Sequence, residues 1–229
     1  MTDHELVRST SPEAAAAAAA EIIGRELSAR LAAADGASLA VSGGSSPGPM
    51  FALLAATGLD WSRIDVFQVD ERVAPDGDAA RNLVGLRARL TPEVLPAARL
   101  HAMPVEQDPD DAARDYADEL VAVLGEPAVI DVVHLGLGDD GHTASLVPGD
   151  DALGVVDRDV TATRDYRGHR RVTLTYPVLA RAGLVVWLVT GEDKQGPLAA
   201  LLDGDRSIPA GRVAAARSII CCDAAAAPG

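Results

Sequence analysis

The sequence predicts an α/β protein with a single Rossmann-like domain, built on a mostly parallel sheet with helices on both faces. Two observations carry this prediction. Short runs rich in β-branched residues alternate with helical segments along the 229 residues, and strands joined through helices need crossover connections. With 48% hydrophobic residues, the chain can bury one sizeable core and needs no second domain to explain its length.

The first predicted helix covers residues 12–33, although it contains an alanine run that has the composition of a signal peptide. Ser11-Pro12-Glu13 supply an N-cap, an early proline and a first-turn acid, which together mark a helix start. Apolar residues then continue at four-residue spacing: Ile23, Leu27 and Leu31. We therefore predict an amphipathic helix.

The remaining elements alternate along the chain. Further helices are predicted at 47–56, 82–90, 110–124 and 194–202. Strands are predicted at 38–42, 64–69, 130–135, 184–190 and 218–222, and extended segments at 155–163 and 171–175. We expect the domain to span 1–223 and residues 224–229 to form a disordered tail.

Charge and composition exclude several classes of function. The net charge of −14 disfavours nucleic acid and acidic membrane surfaces as partners, so a small anionic substrate requires cations gathered locally. Cys221 and Cys222 are adjacent and offer neither a disulfide framework nor metal-ligand spacing. No run approaches the ~18 apolar residues of a membrane span, which predicts a cytoplasmic protein. We expect a monomer or a weak dimer.

Three predicted strands end in unusual polar sequences. After the first comes Ser42-Gly43-Gly44-Ser45, a plausible phosphate cradle before a helix, or equally a tight turn with a serine cap. After the second, Asp70 can accept from sugar hydroxyls or handle a proton, and Arg72 can grip phosphate or simply pair with a neighbouring acid. After a later strand stands Lys194, the only lysine in the chain. The sequence leaves three interpretations of Lys194 open: an ordinary surface residue, a phosphate-binding charge or a nucleophile for Schiff-base chemistry.

The loop after strand 130–135 carries the predicted catalyst. His142 lies between glycines at a strand end, and an imidazole can take a proton from water at neutral pH. Asp140 is close enough to orient the ring, whereas His134 is interpreted as a packed strand residue. A metal site from Asp139, Asp140 and His142 is disfavoured, because adjacent residues on a tight loop rarely supply three ligands to one ion. We expect no cofactor.

Four segments in order, VSGGSSP, FQVDERVAP, HLGLGDDGHTASLVPG and VTGEDK, resemble the 6-phosphogluconolactonase family over nearly the whole chain. Its wider relatives are the glucosamine-6-phosphate deaminases, whose fold the resemblance implies here. It further implies hydrolysis of 6-phospho-D-glucono-1,5-lactone in the oxidative pentose phosphate pathway, with no cofactor or metal. His142 would be the general base, Asp140 would hold its ring, and Asp70 would contact the sugar or assist proton handling. The phosphate would lie against Ser42, Gly43, Gly44, Ser45, Arg72 and Lys194.

Two positions depart from the family pattern. Val147 replaces a phenylalanine, which we expect to alter packing more than chemistry. Arg81 replaces a serine, which is expected to change a neighbouring contact and to add charge near the phosphate. A deaminase-type enzyme is the nearest competing function, but Val147-Pro148 stand where deaminases carry an acid that helps ring opening. The second competing function is that of a non-catalytic sugar-phosphate sensor, and the joint presence of Asp70, Asp140 and His142 argues against it.

Overall fold

The computed structural model describes residues 3–44, 47–90, 94 and 99–228. The strands are β1 (His4–Ser9), β2 (Ala37–Val41), β3 (Ile64–Gln68), β4 (Asp70–Arg72), β5 (Arg99–His101), β6 (Val132–Leu135), β7 (Val160–Ala162), β8 (Arg171–Leu174), β9 (Leu184–Val189) and β10 (Ser218–Asp223). The α-helices are α1 (Pro12–Ala33), α2 (Gly48–Ala55), α3 (Asn82–Arg89), α4 (Pro109–Leu124), α5 (Tyr176–Arg181) and α6 (Gln195–Leu202).

The main sheet has seven strands in the order β1-β10-β9-β6-β2-β3-β5, and every neighbouring pair is parallel. A second, antiparallel sheet has the order β4-β8-β7. From β2 the chain proceeds outward through β3 and β5, and from β6 it proceeds outward in the other direction through β9 and β10. The gap between the ends of β2 and β6 is therefore the switch point at which α/β proteins bind ligands.

Helices cover both faces of the main sheet, which confirms the predicted fold class. Strand β9 shows how: Val185 and Trp187 face the core shared with α4, α5, α6 and the second sheet, whereas Leu184 and Val186 face the core shared with α1, α2 and α3. All four side chains are buried, and burial of each large apolar side chain stabilises the fold by about 1.5–3 kcal/mol. Burial on both faces explains the continuous apolar runs of the central strands.

Helix α1 has the predicted bounds and the predicted cap. The Ser11 hydroxyl accepts a hydrogen bond from the Ala14 amide at 3.2 Å, which satisfies one of the free N–H groups of the first turn. Four of its alanines are buried in the core beside the sheet, so the helix backbone lies close to the strands; they are Ala15, Ala16, Ala19 and Ala20. Neither α1 nor any other helix in the described residues has the length and apolar character that a membrane crossing requires.

The structure differs from the predicted elements mainly at the periphery. Strand β1 and the three-residue strands β4 and β5 are absent from the prediction, as is α5, and only 160–162 of the segment 155–163 is a strand. Residues 224–228, predicted as a disordered tail, form a turn instead. The Ala226 side chain is buried, and its amide donates to the Asp223 carboxylate at 2.9 Å, so this turn is fastened to the end of β10.

Candidate active site

A cavity of about 330 Å³ opens at the carboxyl ends of the central strands, over the switch point between β2 and β6. Seven of the residues selected from the sequence line it: Ser42, Gly43, Gly44, Asp70, Arg72, His142 and Lys194. Asp140 lies behind His142, in contact with its ring. Ser45 lies outside the described residues. Parallel strands place their following loops at one edge, so residues far apart in sequence meet here.

The loop after β6 orients His142 through Asp140. Asp140 Oδ1 lies 2.5 Å from His142 Nδ1 and accepts from the His142 amide at 3.1 Å, while Asp140 Oδ2 accepts from the Tyr166 hydroxyl at 2.9 Å. Burial raises the pKa of Asp140, but the bonds from His142 and Tyr166 outweigh it and hold the pKa below its usual value. An ionised carboxylate only accepts, so in the neutral imidazole Nδ1 carries the proton and Nε2 has the lone pair.

Glycine is required beside this pair because the ring packs directly on the backbone. A Cβ atom at Gly138 would lie 2.0 Å from His142 Nδ1. At Gly141 the backbone adopts φ 79°, which favours glycine, and an added Cβ would lie 2.7 Å from the Ile208 side chain. The Gly-His spacing noticed in the sequence therefore reflects close contact between the imidazole and its own loop.

Asp70 is buried beneath the cavity, and each of its carboxylate oxygens accepts a hydrogen bond from a side chain. Its Oδ2 accepts from the Ser145 hydroxyl at 2.6 Å, and its Oδ1 accepts from Asn82 Nδ2 at 3.2 Å. Burial raises the pKa of Asp70, and the Ser145 bond offsets this only in part. The carboxyl group therefore has two fixed donors and an edge on the cavity.

The glycine turn after β2 is held against this same cluster. An added Cβ at Gly43 would lie 2.3 Å from Asn82 Oδ1. The backbone of the glycine turn therefore packs directly against the Asn82 side chain at the start of α3. The Ser42 hydroxyl donates to the His134 carbonyl at 3.2 Å, which ties the turn to β6. His134 itself is buried on the sheet, as predicted for a packed strand residue, and its ring stands edge-on to Phe51.

Cations line the cavity from several sides. Lys194 lies beyond β9 with Nζ 2.7 Å from Asp193 Oδ2, and Arg72 lies beyond β3 with Nη1 donating to the Ala80 carbonyl at 2.9 Å. The expectation that Arg81 adds charge near the phosphate is wrong. Its buried guanidinium pairs with Glu71 and Glu106 instead of lining the cavity. Val147 is buried, in keeping with a packing role.

Several residues of the site were not selected from the sequence: Asn82, Ser145, Tyr166, Arg167 and Arg171. The last three come from the hairpin between β7 and β8 and from the start of β8. Arg167 and Arg171 place their guanidinium carbons 5.0 Å from the centre of the Tyr166 ring. The signal in the sequence was the clustered arginines before an apolar run, but nothing in the pattern shows that this hairpin folds back onto the His142 loop.

The acidic groups near His142 are paired with neighbours. Asp139, Asp140 and His142 bring their ligand atoms within 4.8 Å of one another, the spacing of a possible metal site. Asp139 accepts from Arg167 at 3.0 Å, and both oxygens of Asp140 accept bonds as described. These bonds account for the close approach of the three side chains.

Taken together, the fold and the site define a class: an α/β enzyme for a small anionic substrate, with an imidazole held by a carboxylate in a cation-lined cavity. The comparisons with known proteins are more specific. The chain belongs to the family described as "Glucosamine-6-phosphate isomerases/6-phosphogluconolactonase", which matches residues 10–221.

Relatives within the family resemble the chain over most of its length. A 6-phosphogluconolactonase from Nostoc sp. is 40% identical over 168 residues, covering 70% of this chain and 69% of that protein. One from Streptomyces coelicolor is 36% identical over 234 residues, covering 93% and 89%. The crystal structure of a 6-phosphogluconolactonase from Shewanella baltica OS155 superposes with a TM-score of 0.86 at 26% identity, covering 96% of this chain and 97% of that one.

Proposed function

We propose that the chain hydrolyses 6-phospho-D-glucono-1,5-lactone to 6-phospho-D-gluconate. The observation that carries this proposal is the His142–Asp140 pair on the rim of a cavity that Lys194 and Arg72 also line. A phosphorylated ester needs a base that activates water and cations that bind its phosphate, and His142 and the two cationic side chains are suited to these roles. The names of the relatives and of the superposed structure point to the same reaction.

In this mechanism His142 activates water. Its Nε2 takes a proton from a water molecule as the water oxygen bonds to C1 of the lactone, and the carbonyl electron pair moves onto the carbonyl oxygen. When the carbonyl re-forms, the bond from C1 to the ring oxygen breaks and His142 returns its proton to that oxygen. Asp140 stabilises the imidazolium between the two steps, since its ionised carboxylate already lies on Nδ1.

The phosphate would be held by Lys194 and Arg72, with the backbone of the Ser42-Gly43-Gly44 turn. Gly44 has φ 102°, and among the described residues no atom outside its immediate chain neighbours lies within 4 Å of a Cβ built there. Lys194 forms an ion pair with the neighbouring Asp193 carboxylate, which supports its proposed role as a phosphate-binding charge. Asp70, between its two fixed donors, would contact a sugar hydroxyl.

The competing deaminase reaction needs an acid that this cavity does not receive from the loop after His142. Val147, at the corresponding place, is apolar and 4% exposed. The lactonase reaction needs no such acid, since the ester opens once water has added to C1. The cytoplasmic location and the monomeric or weakly dimeric state expected from the sequence remain predictions.

The test compares two substrates. Purified protein is mixed with freshly generated 6-phosphogluconolactone and, separately, with glucosamine 6-phosphate, and each rate is measured against buffer because the lactone also hydrolyses unaided. We expect saturable acceleration with the lactone and none with the amino sugar. Acceleration with glucosamine 6-phosphate alone would replace the proposal with deamination. Binding of either compound without turnover would make the protein a sugar-phosphate sensor.

A further inference from the structure

Two arginines face each other at the edge of the cavity. Arg72 on β4 and Arg171 on β8 are direct partners in the antiparallel register, and both line the cavity. Like charges at directly opposed positions in an antiparallel pair destabilise a sheet. In a chain with a net charge of −14, this juxtaposition needs a compensating group.

The protein itself supplies that compensation only in part. Arg171 is 6% exposed, and its guanidinium donates to uncharged oxygens, to the Ser145 hydroxyl at 3.3 Å and to the Tyr166 carbonyl at 3.3 Å. The hydrogen bond of Arg72 likewise goes to a carbonyl oxygen. Among the described residues, the Nε atoms of both arginines are buried without a hydrogen-bond partner. An arginine carries five N–H donors, so unused donors remain on both side chains.

The surroundings leave Arg171 poorly solvated as a cation. Burial, together with the charges of Arg72 and Arg167, outweighs the attraction of Asp70 and lowers the pKa of Arg171 from its usual value. Asp70 does not contact the guanidinium directly: Ser145 stands between them, donating to Asp70 at 2.6 Å and accepting from Arg171. Among the described residues, no carboxylate forms an ion pair with the Arg171 guanidinium, which is held by a hydroxyl and a carbonyl oxygen.

Arg171 also lies on the His142 side of the cavity. Both residues lie beside the Tyr166 ring, with the Arg171 guanidinium carbon 5.0 Å from its centre and the His142 ring centre 5.6 Å from it. Lys194 enters from beyond β9, which is separated from β3 and Arg72 by β6 and β2. Lys194 and the opposed arginines therefore reach the same cavity from different strands.

We propose that Arg171 is a catalytic residue that donates hydrogen bonds to the lactone carbonyl oxygen as that oxygen becomes an oxyanion. This proposal rests on the function proposed above. When water adds at C1, the carbonyl electron pair moves onto oxygen, and this oxyanion accepts hydrogen bonds from the unused N–H donors of Arg171. Arg72 would meet the phosphate of the same substrate. Once the ring oxygen leaves with its proton, Arg171 faces the carboxylate of the product.

The prediction is a loss of turnover without a loss of binding. Arg171→Met keeps the apolar stem and removes the guanidinium, and removing one oxyanion donor lowers kcat by about 10²–10³-fold. We expect KM for 6-phosphogluconolactone to stay within about threefold. Arg171→Lys, which keeps the charge but not the fork, should recover at least about tenfold of the lost kcat. The melting temperature of Arg171→Met should equal or exceed that of the natural protein, because an opposed charge has been removed.

Controls separate this proposal from a structural role and from the proposed function. Arg170→Met changes the neighbouring, half-exposed arginine, which pairs with Asp110 at 3.6 Å and donates to the Thr163 carbonyl at 3.2 Å, and it should leave both constants unchanged. If Arg171→Met keeps kcat within threefold, or if its defect lies in KM, Arg171 is not an oxyanion donor. The same conclusion follows if Arg171→Met melts earlier and the lysine variant does not restore kcat. If the unaltered protein itself fails to accelerate lactone hydrolysis, that result refutes the proposed function, independently of the Arg171 variants.

Discussion

The Glu71 carboxylate is the buried anchor of the site, and its replacement by an amide tests how the site is built. Glu71 is fully buried and accepts hydrogen bonds at 2.7–3.0 Å. The donors are the Gln68 side chain and the amides of Arg72, Asn82 and Leu83, and the Arg81 guanidinium adds an ion pair at 3.3 Å. Two of these amides are the first of α3, where a carboxylate also complements the helix dipole.

Glu71→Gln cannot satisfy these donors. One oxygen accepts from two backbone amides and the other from an amide and the Gln68 side chain, so either orientation of the new NH₂ group faces at least two donors. Each lost hydrogen bond to a charged acceptor is worth about 1.5–3 kcal/mol, which gives a loss of about 3–6 kcal/mol. With an m-value of about 3 kcal/mol/M, the urea midpoint should fall by about 1–2 M.

The assay is equilibrium urea unfolding, with Glu106→Gln as the matched control. Glu106 is the second partner of Arg81, but its side chain is 51% exposed, so its loss should cost less than about 1 kcal/mol. A Glu71→Gln midpoint within the range of the control would refute the argument that these bonds anchor α3. Glu71→Gln should also lower kcat/KM, because Asn82 begins α3 and holds Asp70.

The other predictions concern single groups. His142→Ala should lower kcat by about 10²-fold or more with little change in KM, and near-normal initial rates would exclude it as the base. Lys194→Ala should chiefly raise KM, whereas a fall in kcat alone would indicate Schiff-base chemistry. Gly43→Ala should lower kcat/KM at least about tenfold because its methyl group would displace Asn82, and unchanged kinetics would contradict that contact. Burial lowers the pKa of His134 to about 3 from 6.5, so the unfolded chain binds a proton that the folded chain does not. Stability should therefore fall by about 1.4 kcal/mol per pH unit as the pH drops from about 6.5 to about 3, and His134→Leu should remove this contribution from urea titrations; an unchanged slope in that variant would refute it.

The central elements were predictable because their signals are local. The cap and spacing of α1 and the apolar runs of β6 and β9 are written in consecutive residues, and the structure confirms all three. Strand β1 was missed because an edge strand is half exposed and carries no apolar alternation. Its sequence HELVRS becomes a strand by pairing with β10, which lies more than 200 residues away.

Only those residues of the site that follow the parallel strands could be predicted from the sequence. Ser42, Asp70, His142 and Lys194 each follow a strand, and parallel topology alone brings such positions to one edge. Arg171 begins a strand in a separate antiparallel sheet, so its place depends on how that sheet docks. Docking depends on side-chain packing between distant segments, which periodicity does not encode.

Because Asp140 accepts from Tyr166 on one oxygen and from His142 on the other, the carboxylate that we propose as the partner of the general base is shared between two separate segments of the chain. Any local opening of the β7–β8 hairpin removes a donor from Asp140 and an aromatic neighbour from His142 at the same moment. In the proposed mechanism, proton transfer at His142 therefore depends on the β7–β8 hairpin as well as on the loop that carries the base. Amide exchange in the hairpin and turnover at His142 should respond to temperature along the same curve.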